Sequence, residues 1–387
     1  MEFNNNDLEL IKSKGITIET IEEQLNRFKT GFPYLKIRSV ATIGNGIVRL
    51  SDEEMDACIN VCNQFQVSGG TVEKFVPASG AASRMFKNIF AFVTAEKPAP
   101  ETDFQKKFFA EIKDFAFYPA LNERCVSLYG KDIDALMTDG EYVNVAAALI
   151  NKEGLNYGQL PKALLQFHKT AEGAHTPLEE HLEEGAQYAS DLNKNVNIHF
   201  TVSPEHRTEF EKTIAAKVPV MEKEWGVKYN VSMSEQKAST DTIAVNIDNI
   251  PYREDGKLLF RPAGHGALIE NLNDIDADVV FVKNIDNVVP RNLRDVTVKY
   301  KKVIGGYLVK LQKQIAAYLK KLQSGEYTID ELREMLAFSR EVLSIRHDDT
   351  KNLDDSELAL YLIKKFKRPN RICGVVKNDG EPGGGPY

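Results

Sequence analysis

The chain has 387 residues, of which 42% are hydrophobic and 27% are charged, and its net charge is −7. This length exceeds the size at which a single core stops growing, so we expect more than one compact part and a substantial core. The acidic balance gives no general attraction to nucleic acid or to an anionic membrane. We therefore predict that neither is a partner and that any phosphate site is local.

The amino-terminal sequence and the cysteines bear on the cellular compartment. "MEFNNNDLEL" has no basic stretch before an apolar one, and nowhere do about 18 apolar residues run together, so we predict a cytoplasmic protein without a membrane span. Cys58 and Cys62 are one helical turn apart, whereas Cys125 and Cys373 stand alone. Since no second pair or histidine cluster accompanies them, we interpret Cys58 and Cys62 as a buried helix face and all four thiols as reduced.

Residues 1–68 are predicted to be helical. Ser51 followed by Glu54 is a capping-box pattern that opens one of these helices. "TVEKFVPASG" then predicts a short apolar strand that runs into a loop of small residues, and Ser83 to Phe92 are predicted to continue as a helix. Residues 88–158 are rich in aromatic side chains, and their pattern predicts a helical insertion.

Strands and helices alternate from residue 160 onward. Thr176, Pro177 and Glu179 give an N-cap, a first-turn proline and a capping glutamate for the helix "PLEEHLEEGAQYASDL". The sequence then predicts strands in "VNIHFTVS", "KYNVSMSEQ" and "DVVFVKNIDNVV", and a hairpin that turns at Asp255 and Gly256. Because the apolar core of the last strand is unbroken, we expect a mostly parallel sheet between helices.

The carboxyl-terminal part returns to helices. Residues 294–366 hold three helical patterns, one of them opened by Thr328 and Glu331 as a capping box. In residues 367–387 the sequence predicts a strand that runs into a glycine-rich end. Such a strand would leave the sheet unfinished, so we expect a truncated chain. The predicted organisation is a helical region 1–68, an α/β core 69–293 that includes the insertion 88–158, a helical region 294–366 and the closing strand.

Three sequence features follow predicted strands, at the edge where open parallel sheets bind ligands. The first is "FVPASGAASRMFK", residues 75–87, in which small residues precede Arg84 and Lys87. Small residues let an anion approach backbone N–H groups, and the two cations would complete its neutralisation. The alternative is a plain strand-to-helix turn with both cations solvated.

The second feature is Asp286 in "KNIDNVV", and the third is His265 between Gly264 and Gly266 in "RPAGHGAL". A carboxylate at the end of a buried strand should be hydrogen-bonded, paired or bound to a metal; the simpler alternative is a cap or turn aspartate. A loop flanked by glycines suits contact between the backbone and a flat ligand. A lone histidine, however, is more often a satisfied loop residue.

Taken in order, these motifs resemble the sugar nucleotidyltransferase superfamily, the nucleotide-sugar pyrophosphorylases with a GT-A-like, Rossmann-type sheet. "SGAASRM" resembles the Gly-x-Gly-Thr-Arg-Met loop of that family, with Gly80 and Arg84 in place and Ala82 instead of the second glycine. "LPKALL" is similar to the Pro-Lys motif that follows, with Lys162 at the lysine. The resemblance covers residues 70–290 and implies a branch distinct from the established enzymes.

Two further motifs narrow the resemblance to the UDP-hexose and UDP-N-acetylhexosamine pyrophosphorylases. "PAGHGALIENL" is similar to their uridine-contacting loop, and "VKNIDNVV" is similar to their metal-binding strand end. Gln236 in "SEQK" corresponds to a glutamine near the nucleotide.

The resemblance implies transfer of a nucleotidyl group from a nucleoside triphosphate, with UTP favoured, to a sugar-1-phosphate, with release of pyrophosphate. The implied site is made of a phosphate cradle, a cation on the leaving pyrophosphate, a lysine between the two substrates, a Mg²⁺ ligand and a base-binding group. The cradle corresponds to Gly80, Ala81, Ala82 and Ser83 with Lys87, and the cation on the pyrophosphate is Arg84. Lys162 is the lysine between the substrates, and Asp286 is the Mg²⁺ ligand. The base-binding group is Gln236, Gly264 and His265.

Two alternatives stay open. A glycosyltransferase of the same fold generally carries Asp-x-Asp at a strand end, where this chain has Asp286, Asn287 and Val288. A nucleotide-binding regulator or scaffold that has lost catalysis is consistent with Ala82 and with the long insertion 88–158.

Overall fold

The structure, a computed structural model, describes residues 3–80, 82–95, 99–171, 173–380 and 384–387. The fold is mixed α/β, with a four-stranded parallel sheet flanked by helices, which confirms the expected class and sheet type. Met1–Phe32 and Thr71–Asp295 form one compact unit, and Pro33–Gly70 and Val296–Tyr387 form a second. Within the described ranges, no helix is both long enough and apolar enough to cross a membrane.

Helices predominate, and several short strands accompany the main sheet. The helices described are α1 (Asn5–Ser13), α2 (Ile18–Thr30), α3 (Asp52–Val67), α4 (Lys87–Ala95), α5 (Asp103–Ala110), α6 (Tyr118–Tyr129), α7 (Ile133–Thr138), α8 (Tyr142–Ile150), α9 (Pro177–Tyr188), α10 (Arg207–Trp225), α11 (Ile269–Leu272), α12 (Arg294–Ser324), α13 (Ile329–Glu341) and α14 (Asp355–Phe366). The strands described are β1 (Thr42–Ile43), β2 (Gly46–Ile47), β3 (Val72–Pro77), β4 (His168–Thr170), β5 (Gly173–His175), β6 (Asn195–Val202), β7 (Lys228–Glu235), β8 (Thr242–Ile243), β9 (Arg253–Glu254), β10 (Lys257–Leu258), β11 (Phe260–Arg261) and β12 (Val279–Val282).

Helix starts follow the capping signals in the sequence. The capping boxes predicted for α3 and α13 both form. At α9, the Thr176 side chain accepts from the amide of Glu179, the Glu179 carboxylate accepts from the amide of Thr176, and Pro177 lies in the first turn. Each box satisfies N–H groups that a helix start leaves without intrahelical partners.

The main sheet contains β12, β3, β6 and β7 in that order, and all four strands are parallel. β3 is the first of these strands along the chain. β6 and β7 lie on one side of it, whereas the last strand, β12, lies on the other side. The strand order therefore reverses between β3 and β12, and such a switch point opens a crevice at the carboxyl ends of the strands.

One face of this sheet packs against α9 and α10 in an apolar core. Buried members of this core are Val76, Ala78, Ala163, Leu178, Leu182, Val196, Ile198, Phe200, Val202, Phe210, Met221, Tyr229 and Ile285. Gly185 of α9 allows a close approach, because a Cβ there would lie 2.8 Å from Ile198 Cδ1. The helix backbone consequently lies directly against β6.

The helices predicted within residues 88–158 form as α4–α8, and the structure gives them an aromatic-rich core of their own. Its buried aromatic side chains are Phe86, Phe92, Phe108, Phe109, Phe117 and Tyr157. The hairpin predicted at Asp255 and Gly256 joins β9 and β10, and both turn residues have positive φ, 48° and 77°. Two central residues with φ > 0 are typical of the tight turns that match the twist of a hairpin.

The cysteines of α3 are buried in the second unit. Cys58 and Cys62 lie on one helix face, as predicted, and burial raises the pKa of the Cys62 thiol to about 11. In the same unit, α13 and α14 share a core around Met335, Leu362 and Phe366.

Four parts of the prediction differ from the structure. Residues 31–51 hold β1 and β2 but no helix, although residues 1–68 are predicted to be helical, and β12 covers only Val279–Val282 of the predicted strand "DVVFVKNIDNVV". Ser83–Phe86 form a turn and α4 begins only at Lys87, because the amide of Met85 donates to the carbonyl of Ala82 at 2.8 Å and closes that turn. Residues 367–380 and 384–387 contain no strand. A strand needs a neighbour for its backbone groups, and the main sheet pairs only β12, β3, β6 and β7 within the described residues.

Candidate functional site

The loops that follow β3 and β12 meet at the switch point of the sheet. The amide of Lys162 donates to the carbonyl of Gly80 at 3.3 Å, and Lys162 Nζ donates to Asp286 Oδ2 at 2.6 Å. Lys162 and Asp286 are separated by 124 positions in the chain. Three residues that the sequence singled out therefore lie together at the carboxyl edge of the sheet.

A buried neighbour fixes the position of each charged residue of this pair. Lys162 begins a short 3₁₀ helix, and the next residue, Ala163, is fully buried in the core beneath the sheet. The amide of Ile285 donates to the carbonyl of Pro77 at 3.2 Å, and the Ile285 side chain is buried. Asp286 follows Ile285 directly, so its carboxylate lies just outside the core, where the backbone pairing with β3 ends.

The Lys162–Asp286 ion pair is accessible to a ligand. The side chain of Lys162 is 25% exposed and that of Asp286 is 40% exposed. Ion pairs with this much solvent contact contribute about 0–1 kcal/mol to stability. A ligand with its own charges can therefore separate the two groups at little cost in folding free energy.

The loop after β3 presents cations beside open space. Arg84 and Lys87 are exposed, and neither has an acidic partner among the residues that the structure describes. A Cβ placed on Gly80 would meet no atom within 4 Å, so neither packing nor a positive φ requires glycine there. The Ser203 hydroxyl donates to the carbonyl of Ser79 at 3.1 Å and ties this loop to the end of β6.

The remaining residues of the predicted phosphate cradle have different environments. Ala82 is fully buried, and its amide donates to the carbonyl of Leu160 at 3.4 Å, so this N–H group is engaged by the fold. Ser83 is exposed in the turn. Ala81 lies outside the described residues.

The residues expected to face a base lie at the end of β7. Gln236 Nε2 donates to the carbonyl of Ala263 at 3.2 Å, which places this side chain beside Gly264 and the exposed His265. Asn271 is buried, and its Nδ2 donates to the carbonyl of Glu235 at 2.8 Å. The two predicted groups thus occupy the two sides of the carboxyl edge, one at β3 and β12 and the other at β7.

Sequence reasoning missed a set of buried charged and polar side chains on α9. We call Glu179, Glu180, His181, Glu183 and Glu184 the α9 cluster; all five are buried. The sequence signal was ambiguous, because Leu178 and Leu182 form only a narrow apolar stripe among acidic residues, which is typical of a solvated helix.

Every carboxylate of the α9 cluster has a cationic or histidine partner. The pairs within hydrogen-bonding distance are Lys217 with Glu179, His168 with Glu180, His175, Arg291 and Arg294 with Glu183, and Lys74 and Lys283 with Glu184. Buried carboxylates without such partners would be strongly destabilising. The cluster therefore holds together segments that are distant in the chain.

Glu184 joins the strands on both sides of the switch point. Its Oε1 accepts at 2.6 Å from Nζ of Lys283, the residue directly after β12, and its Oε2 accepts at 3.3 Å from Nζ of Lys74 in β3. Burial raises the pKa of the Glu184 carboxyl, but the two lysine charges together outweigh burial, so the pKa lies below its ordinary value. Glu184 is consequently ionised at neutral pH.

The site offers little to a metal by itself. Among the described residues, no group of three or more His, Cys, Asp and Glu side chains is arranged to hold a metal ion. Asp286 supplies a single carboxylate, and Mg²⁺ is often held by one or two carboxylates with substrate phosphates and water. These residues therefore fit a Mg²⁺ ion that arrives with a phosphate ligand, and they do not fit a metal held by the protein alone.

The comparisons with known proteins concern the family. Neither the curated proteins nor the solved structures gave a match to this chain. Residues 4–387 match the profile of DUF4301, described as a domain of unknown function. Because this match spans nearly the whole chain, the protein belongs to the DUF4301 family.

Proposed function

We propose that this protein is a nucleotidyltransferase that transfers a nucleotidyl group from a nucleoside triphosphate to a sugar-1-phosphate and releases pyrophosphate. The observation that carries the proposal is the Lys162–Asp286 pair, 2.6 Å apart beside Gly80 at the switch point between β3 and β12. A GT-A-like, Rossmann-type sheet binds its nucleotide at this place. UTP is the favoured donor, on the motif resemblance described above.

The reaction requires the protein mainly to align two anionic substrates and to neutralise growing charge. Lys162, once separated from Asp286, would contact the α-phosphate and the sugar phosphate. Arg84 and Lys87 would contact the leaving pyrophosphate, since both are exposed and lack acidic partners among the described residues. Mg²⁺, bound with the nucleotide, would neutralise phosphate oxygens, with Asp286 as its protein ligand.

The Gln236 side chain supports contact with a base. A carbonyl oxygen only accepts hydrogen bonds, so the bond to Ala263 fixes Nε2 on that side. Oε1 is then oriented to accept from a ring N–H, which uracil and guanine present. Gly264 and His265 follow Ala263 directly and would line the same base.

One observation favours a second candidate, a nucleotide-binding regulator without turnover. The amide of Ala82 is engaged with Leu160, so the loop after β3 offers fewer N–H groups to a triphosphate. Weaker stabilisation of the leaving pyrophosphate would lower the rate more than the affinity. Binding and turnover therefore have to be measured separately.

The test combines a thermal-shift screen with a pyrophosphate-release assay. UTP, ATP, GTP and CTP are each added with and without Mg²⁺, and a panel of sugar-1-phosphates is added for turnover. A nucleotide at 100 times its dissociation constant should stabilise the folded protein by about 2.7 kcal/mol. We expect a Mg²⁺-dependent shift with UTP and release of pyrophosphate with one of the sugar phosphates.

Matched variants separate the site from the rest of the sheet. Lys162→Ala and Asp286→Ala should each lower turnover by about 10²- to 10³-fold without unfolding the protein. Asp276→Ala and Lys228→Ala are the controls. Asp276 precedes β12 and Lys228 begins β7, so both lie at the amino ends of their strands, whereas the candidate site lies at the carboxyl ends. Nucleotide binding without turnover supports the regulator; no shift with any nucleotide, or equal losses in controls and site variants, rejects both candidates.

A further inference from the structure

His181 of α9 contacts the segment that carries Asp286. The His181 side chain is fully buried, and its Nε2 lies 3.2 Å from the carbonyl oxygen of Asn284 and 3.2 Å from that of Ile285. Both partners only accept hydrogen bonds, so Nε2 carries a proton and donates to the two carbonyls. These carbonyls belong to the two residues immediately before Asp286.

The imidazole of His181 is neutral. Burial, and then the charges of Lys74 and Lys283, hold its pKa well below the ordinary value. With Nε2 protonated as a donor, Nδ1 of the neutral ring carries no proton, and it has no hydrogen-bond partner within the described residues. The ring is therefore a donor of fixed direction at working pH.

The elements on both sides of this contact are restrained as well. Lys74 Nζ donates to the backbone carbonyl of His181 at 2.7 Å, which holds α9 against β3. Lys283 Nζ donates to Glu184 at 2.6 Å, and the amide of Ile285 donates to Pro77 at 3.2 Å. The backbone from 283 to 285 is thus held from α9 and from β3, and His181 supplies the last restraint before Asp286.

We infer that His181 is a positioning residue, whose shared hydrogen bond fixes the backbone of Asn284 and Ile285 and thereby the place where the Asp286 carboxylate meets Lys162. The effect on nucleotide binding rests on the function proposed above, whereas the restraint on the backbone does not. A purely structural histidine would affect global stability without a selective effect on this segment.

The test compares amide hydrogen exchange in the full chain for three variants. His181→Leu removes the donor, and His181→Gln keeps an N–H donor near the position of Nε2. His199→Leu is the matched control, because His199 is also buried but contacts Ser232 and Ser234 of β7 instead. The amides of Ile285 and Asn287 report on the segment, since both are hydrogen-bonded.

Loss of a buried hydrogen bond should increase opening of this segment by about tenfold in His181→Leu. We expect this increase at Ile285 and Asn287 relative to the amides of β6, restoration by His181→Gln, and no such selective increase in His199→Leu. Exchange that is unchanged in His181→Leu, or increased equally in His199→Leu, overturns the inference. Should His181→Leu fail to fold, His181→Asn replaces it, because its shorter amide cannot reach both carbonyls.

A binding measurement connects the restraint to the site. Mg²⁺-dependent nucleotide affinity should fall about tenfold in His181→Leu and return in His181→Gln, while affinity measured in EDTA stays unchanged. Equal losses with and without Mg²⁺ overturn a role through Asp286. If wild type binds no nucleotide at all, the proposed function fails, and the exchange comparison still decides whether His181 positions the segment.

Discussion

Replacement of Glu184 with glutamine removes the negative charge between two buried lysines. The Glu184 side chain is wholly buried and accepts from Lys283 at 2.6 Å, from Lys74 at 3.3 Å and from the Tyr188 hydroxyl at 3.2 Å. Glutamine keeps the shape of the side chain and can still form hydrogen bonds. It leaves two buried ammonium groups without their common counter-charge, so the change isolates the electrostatic contribution.

The expected magnitude follows from burial. Removal of one partner from a buried ion pair destabilises a protein by about 3–5 kcal/mol. Two lysines lose the same partner here, so we expect about 4–5 kcal/mol at pH 7. The folded-state pKa of Glu184 is lowered, so its stabilising contribution is present above the unfolded pKa and is lost as pH falls through the folded pKa. The difference between wild type and Glu184→Gln should therefore shrink in acid.

Urea unfolding measures this difference. With a slope of about 3 kcal/mol per molar urea, a loss of about 4–5 kcal/mol lowers the midpoint by roughly 1.5 M. Glu23→Gln is the matched control, because Glu23 is 64% exposed in its pair with Arg27 and should contribute at most about 1 kcal/mol. A combined Lys74→Met, Glu184→Leu and Lys283→Met variant should recover much of the loss. A Glu184→Gln loss below about 1 kcal/mol would refute the reasoning.

Three further outcomes are expected. Gly306→Ala should lower the thermal midpoint, because a Cβ there would lie 1.8 Å from the carbonyl oxygen of Cys58. Alanine in place of glycine usually stabilises a helix by about 0.5–1 kcal/mol, so an unchanged or higher midpoint contradicts this packing. With a thiol reagent at pH 8, only exposed Cys373 should react before denaturation, as the other cysteines are buried; a second fast thiol, identified by mass spectrometry, argues against that burial. Burial raises the pKa of Glu73 to about 7, so its contribution to stability decreases as pH rises from the unfolded pKa through 7. Glu73→Gln should therefore stabilise the protein at pH 8 more than at pH 5 in urea unfolding, and an equal effect at both pH values would disprove this.

Local signals were sufficient for much of the fold. The capping box at Thr176, the turn at Asp255 and Gly256, and the apolar strands β3, β6 and β7 each depend on a few neighbouring residues, and these form where the sequence predicts them. Placing Gly80 and Asp286 near the same edge also follows from the sequence. Both come after apolar strands, and the carboxyl ends of parallel strands meet at one edge.

Contacts between distant residues were decided only by the tertiary structure. The sequence gives no sign that the amide of Ala82 turns to Leu160, or that Lys162 pairs with Asp286 across 124 positions. The turn at residues 83–86, and the absence of a strand from residues 367–380 and 384–387, likewise depend on which backbone groups find partners.

The α9 cluster shows the physical reason most clearly. From the sequence, "PLEEHLEE" is an amphipathic surface helix, because acidic side chains normally stay in water. In the folded chain, cations from β3, from the segment after β12 and from α10 reach these carboxylates, and burial becomes tolerable. The sequence by itself determined the capped helix starts and the order of the main strands, because these depend on neighbouring residues. Only the tertiary structure decided which charges are buried, since that depends on partners distant in the chain.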